Sequence, residues 1–167
     1  MAVEDHKKQA PTSVRCMVVT VSDTRTQQDD RSGNLAATLL TAAGHELVAH
    51  RIIPDDRAVL SALVREVALS AEIDCLFLTG GTGLSQRDQT FEAVSSVLTK
   101  RMNGFGELFR LLSYEAIGPA AMLSRAVAGV CGKVVVFAVP GSPNAVQLAL
   151  SRLILPELGH AVREAKR

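Results

Sequence analysis

Four short runs of the chain are apolar and rich in β-branched residues: Arg15–Val21 (RCMVVTV), Glu46–Ile53 (ELVAHRII), Ile73–Leu78 (IDCLFL) and Lys133–Val139 (KVVVFAV). Their length and composition predict strands. The third is apolar on both faces, as a central parallel strand requires. Between these runs the apolar period changes from two to about 3.6. Leu35, Leu39, Leu40 and Ala43 share one face of a helix that Asp30 or Ser32 can cap and Gly44 can stop. After the turn Pro54-Asp55-Asp56, the residues Val59, Leu60, Leu63, Val64 and Val67 repeat at helical spacing. Further helices are predicted over Thr90–Lys100 and near Glu107–Glu115, the second preceded by a glycine-punctuated hinge (MNGFGE). Pro119 interrupts the chain before AAMLSRAVAG. Ser142 can cap, and Pro143 can open, a terminal helix that Pro156 should kink or restart. Residues 1–13 read as a flexible polar tail and residues 14–167 as one domain, with no internal repeat.

Strands alternating with helices predict a three-layer α/β/α fold around a mostly parallel sheet. In such sheets ligands sit beyond the carboxyl ends of the strands. The loops SDTRT (22–26), IPDD (53–56), TGGTG (79–83) and PGSPN (140–144) each follow a predicted strand. All four are therefore expected on one edge of the sheet, whatever the strand order.

Composition narrows the classes that this fold can serve. A chain of 167 residues suits one domain. At 47% apolar residues it can build a core, and a domain of this size buries roughly 70% of its unfolded surface. The formal charge of +1 argues against a polyanion or a membrane surface as partner. One Tyr, five Phe and no Trp leave little aromatic surface for stacking bases, so nucleic acid is not expected. Cys16, Cys75 and Cys131 form no CxxC pair and sit in apolar runs, as buried reduced thiols do. The four histidines show no zinc-ligand spacing. No signal peptide or membrane span is apparent, and the expected location is the cytoplasm.

The strongest local signal is Thr79-Gly80-Gly81-Thr82-Gly83. Three glycines permit positive φ and let backbone N–H groups converge on an anion, with a helix N-terminus close behind. The turn lacks the GK[ST] ending of a Walker loop and the third glycine of a dinucleotide fingerprint, Gln86 standing in its place. Arg87-Asp88 follows. A carboxylate beside bound phosphates can hold Mg²⁺, and Glu92, one helical turn on, is a possible second. Of Asp55 and Asp56, one suffices to cap the next helix, which leaves the other free for a metal. Pro140-Gly141-Ser142 forms a second strand-to-helix turn able to receive an anion. Ser124-Arg125 adds a cation near the strands, and Ser22-Asp23 opens the first loop of the edge. Nothing resembles a Ser/His/Asp or Cys/His arrangement, so covalent nucleophilic catalysis is not expected.

Taken in order, SDTRT with DDRSG (29–33), IPDD, TGGTGLSQRDQTFEA (79–93), GFGELFRLLSYEAIG (104–118), MLSRAVAG (122–129) and PGSPNAV (140–146) resemble the molybdopterin-binding MogA/MoaB family of molybdenum cofactor biosynthesis. The likeness runs from about Arg15 to His160, and the GFGELFR, SYEAIG and SRAVAG wording is most similar to the bacterial MoaB-like branch. The resemblance implies Mg²⁺-dependent transfer of AMP from ATP to molybdopterin, with release of pyrophosphate. It implies a homotrimer or paired trimers, and delivery of the product to a molybdenum-inserting enzyme. It places the catalytic carboxylates on Asp55 and Asp88, the glycine turn on Thr79–Gly83, the acidic residue of T-x-E on Glu92, and the last anion turn on Gly141 and Ser142. The alternative within the family is a MoaB-like protein that binds molybdopterin without transferring AMP. Competence-damage proteins carry TGG-x-GPT at this turn, and TGGTGLSQRD departs from that.

Overall fold

The computed structural model describes residues 7–167. Its sheet has six strands: β1 (Arg15–Val21), β2 (Glu46–Ile53), β3 (Cys75–Thr79), β4 (Lys100–Arg101), β5 (Val127–Cys131) and β6 (Val134–Val139), in the order β2-β1-β3-β6-β5-β4. β2, β1, β3 and β6 run parallel, and β5 turns back antiparallel to β6 and to β4. The helices are α1 (Arg31–Ala42), α2 (Arg57–Leu69), α3 (Thr90–Val97), α4 (Asn103–Ile117), α5 (Pro143–Ala149) and α6 (Leu155–Lys166). Among the described residues no helix is long and apolar enough to cross a membrane.

The period-two alternation of each strand divides the core in two. On one side Cys16, Val18, Phe77, Val135 and Phe137 pack with α1, α4, α5 and α6. On the other, Met17, Val19, Leu76, Leu78 and Val136 pack with α2 and α3. The expected three layers are therefore present. All three cysteines are buried and free. Phe137 meets Phe105 edge to face at 5.2 Å between ring centres, which ties α4 to the sheet.

Caps resolve two choices that the sequence leaves open. Asp30 caps α1, accepting from Gly33 N at 2.9 Å, and Ser32 lies inside the helix. Asp56 caps α2, accepting from Val59 N at 3.0 Å. Ser142 caps α5 with Pro143 as its first residue, as expected.

Three expectations need correction. The helix over Thr90–Lys100 ends at Val97, because Thr99 N and Met102 N bond instead to the carbonyls of Val130 and Ala128 at the edge of β5. The hinge MNGFG is the first turn of α4. Gly106 allows that helix to approach β5, since a Cβ there would stand 2.9 Å from Ala126 O. The β4–β5 pair was not predicted at all. Pro156 falls where the helical bonding changes: a π-helical stretch, Leu150–Ile154, precedes it and α6 begins at Leu155, with the backbone helical across the join. A wider turn accommodates a residue that has no N–H for the carbonyl four places back. Of the expected tail, residues 1–6 lie outside the described residues. From Lys7 the chain lies along α6: Lys7 pairs with Glu157, and Gln9 accepts from Arg163 at 2.7 Å.

Candidate functional site

Because β2, β1, β3 and β6 are adjacent and parallel, their four following loops meet on one edge of the sheet. Hydrogen bonds join them. Ser22 N bonds Ile53 O at 2.9 Å, and Asp23 Oδ1 accepts from Asp55 N at 3.1 Å. Gly80 N bonds Val139 O at 3.0 Å, and Thr79 Oγ1 donates to Pro140 O, also at 3.0 Å. Ser32 Oγ donates to Gly141 O at 2.8 Å, which brings α1 to the same place. Gly80 and Gly81 take φ of 104° and 70°, values that exclude most side chains. Gly141 passes so near that a Cβ there would stand 3.2 Å from Gly80 Cα.

The carboxylates gather at this glycine turn. With Asp56 occupied as a cap, Asp55 points inward and is 7% exposed. Its Oδ1 accepts from Gln89 N at 2.9 Å. Burial pushes its carboxyl above the ordinary value, and the Gln89 bond opposes that only in part, while Asp88 and Asp23 push the same way as burial. Asp88 Oδ2 accepts from Ser85 N at 3.2 Å and closes over Gly83, where a Cβ would stand 2.7 Å away. Arg87 Nε donates to Asp23 Oδ2 at 2.7 Å, and this bond holds Asp23 below the ordinary carboxylate value. A buried carboxylate flanked by two others is an arrangement that favours an external cation.

Arg125 braces the turn from beneath. Its guanidinium donates to Thr82 O at 3.1 Å, to Gly83 O and to Glu92, and stacks 4.9 Å above the ring of Phe91. The bond from Arg125 holds the Glu92 carboxyl below its ordinary value. Glu92 and Arg125, two separate site candidates in the sequence, thus form one pair that fixes the carbonyls of the loop. Ser124 Oγ is buried without a protein partner, beside an apolar cleft of about 630 Å³ lined by Phe109, Ile117, Ser124, Pro140, Ser142 and Leu148.

The sequence reading gave no role to Thr90. It is fully buried at the start of α3, its N–H bonds Gly81 O at 2.9 Å, and its hydroxyl has no partner. Its place inside the TGGTG-to-TFEA motif was visible, but an unmet hydroxyl can be seen only in three dimensions.

Residues 17–160 match the family described as "Probable molybdopterin binding domain". The chain is 51% identical to the molybdenum cofactor biosynthesis protein B of Bacillus cereus, over 100% of this chain and 99% of that one. Among solved structures, a molybdenum cofactor biosynthesis protein B superposes with a TM-score of 0.91 at 50% identity, covering 95% of this chain and 99% of that one. The tungsten cofactor synthesizing protein MoaB of Pyrococcus furiosus superposes with a TM-score of 0.84 at 39% identity, covering 95% and 100%. The four turns that meet at the sheet edge all fall inside the matched span, and the chain belongs to the molybdopterin-binding family of molybdenum cofactor biosynthesis proteins, on its MoaB-like branch.

Proposed function

We propose that this chain adenylylates molybdopterin, joining AMP from ATP to the terminal phosphate of the pterin and releasing pyrophosphate. The observation that carries this reading is Asp55: a buried carboxylate, excused from capping by Asp56, with Asp88 and Asp23 as like-charged neighbours at a glycine turn. Mg²⁺ fits this donor set. Among the described residues no group of three or more Asp, Glu, His or Cys could hold a metal alone. Mg²⁺ in phosphoryl-transfer sites commonly takes one or two carboxylates and completes its shell with phosphates and water. Asp55 and Asp88 would hold it, and when bound it would neutralise charge on the triphosphate and on the departing pyrophosphate.

The chain's own residues then supply position. Amides of Gly81–Gly83 and of the Gly141-Ser142 turn bind phosphate oxygens, and Arg125 keeps the Thr82 and Gly83 carbonyls turned away from them. Arg87 exchanges Asp23 for phosphate. A phosphate oxygen of the pterin attacks the α-phosphorus of ATP in line, and the bond from that phosphorus to the β-bridging oxygen breaks. The product would pass to a molybdenum-inserting enzyme. Self-association is part of the proposal. Leu108, Leu111, Tyr114 and Ile117 expose one apolar stripe of α4, continued by Met122 and Leu123, and such patches mark interfaces.

The test is incubation with molybdopterin, ATP and Mg²⁺, with adenylylated pterin followed by chromatography. Asp55→Asn and Asp88→Asn should each lower the rate by roughly a hundredfold or more, the scale of removing one element of charge stabilisation. Full rate in either variant removes that carboxylate from the assignment. Pterin binding by the wild type with no product would leave a molybdopterin-binding protein without transferase activity.

A further inference from the structure

Thr90 is fully buried, yet its Oγ1 makes no hydrogen bond among the described residues. Such an atom is disfavoured in a folded protein, and valine would fill the same space without it. Its surroundings give it a use. A Cβ on Gly81 would stand 2.6 Å from Asp55 Oδ2 and closer still to Thr90 Oγ1, so hydroxyl and carboxylate both occupy the bare face of Gly81. Asp55 Oδ1 is already held by Gln89 N, the residue before Thr90, while among the described residues no hydrogen bond reaches Oδ2. Thr90 N in turn holds Gly81 O. The start of α3 therefore grips the turn, grips one oxygen of Asp55, and carries an idle donor beside the other.

Resting on the metal–nucleotide reading of the site, we propose that Thr90 is a positioning residue for Asp55: its hydroxyl donates to Oδ2 when that carboxylate turns to a cation bound with the triphosphate. Direct coordination by Thr90 is disfavoured, because Oγ1 is shielded from solvent and a hydrated cation does not reach it. Gly81 is the space in which the hydroxyl and the carboxylate adjust. The donor is unmatched while the site is empty and matched when it is filled, so its energy appears in ligand binding and not in folding.

The experiment is calorimetric titration of the full chain with ATP, once with Mn²⁺ as a stand-in for Mg²⁺ and once with excess EDTA, alongside ligand-free melting. Thr90→Val should weaken ATP binding roughly tenfold with Mn²⁺, the scale of a hydrogen bond to a charged group, and leave binding in EDTA unchanged. Its melting temperature should equal or exceed that of the wild type. Thr90→Ser should restore the metal-dependent affinity. Thr90→Ala, which leaves a cavity and melts lower, should still show the loss only with metal. The proposal is overturned if Thr90→Val binds as the wild type does, loses affinity equally with and without metal, or melts lower with rescue by serine. A wild type that binds Mn²⁺·ATP but forms no adenylylated pterin ends the transferase reading and leaves Thr90 standing. A wild type with no metal-dependent ATP binding ends both.

Discussion

Asp55 and Asp74 lie at opposite ends of the sheet and are equally buried, at 7% and 6% exposure. Their surroundings are opposite. Asp74 precedes β3 and accepts from Arg15 N, Nε and Nη2 at 3.1, 3.0 and 2.8 Å, and from Lys166 Nζ at 2.6 Å. It joins the first strand to the last helix. Burial alone would raise its carboxyl, but the bonds from Arg15 and Lys166 outweigh burial and hold it well below the usual carboxylate range. Asp55 has one backbone donor on its carboxylate and two other carboxylates near it, so burial prevails and its carboxyl is raised. Burial therefore does not separate a structural carboxylate from a candidate site carboxylate. The partner set does: Asp74 has its cations within the chain, and Asp55 has like charges for neighbours, the setting that the proposed cation site requires.

The largest effect should come from neutralising each in turn. Asp74→Asn should cost about 3 kcal/mol of stability, between a charged hydrogen bond and a fully buried pair, because Arg15 and Lys166 remain facing each other. Asp55→Asn should leave stability unchanged or raise it, since it removes a like-charged neighbour of Asp88 and Asp23. Urea unfolding of both variants checks this. Equal losses in the two would break the comparison.

A smaller effect should appear in acid. The folded carboxyl of Asp74 lies below its ordinary value of 3.8, so its contribution is whole above that value and is lost as pH falls below it towards the depressed folded value. The acid limb of the stability curve should therefore be steeper in the wild type than in Asp74→Asn, by up to about 1.4 kcal/mol per pH unit, with the two curves converging at low pH. Melting curves recorded from neutrality to strong acid would show parallel limbs if Asp74 has an ordinary carboxyl in the folded state.

The contrast between these carboxylates was half legible in the sequence. Asp55 was visible because two aspartates followed a strand and a cap needs only one. Asp74 lay inside a run read as strand from Ile73, where an acidic residue has no local reason to be, and its partners stand 59 and 92 positions away. The same limit hid the Arg125–Glu92 pair and the β4–β5 edge. Periodicity and caps are local signals, and they located the four parallel strands, their helices and the shared edge. A two-residue strand and a strand containing Gly129 carry too little local pattern, and exist because neighbours from elsewhere in the chain complete them.

The smallest predicted effect concerns Arg87, the cation bonded to Asp23 beside Asp55. Its side chain is 69% exposed, so its bond to Asp23 adds little to folding, and Arg87→Ala should shift the melting temperature by no more than about a degree. Its proposed worth lies in exchange. If Arg87 leaves Asp23 for an incoming phosphate, the variant should bind ATP a few-fold more weakly at low salt, and the deficit should shrink as salt screens an exposed cation. Titration at two ionic strengths measures this. A deficit that does not change with salt would mean that Arg87 acts by holding the Asp23 loop against Asp55, and the exposed cation would then belong with Asp74 among the structural charges.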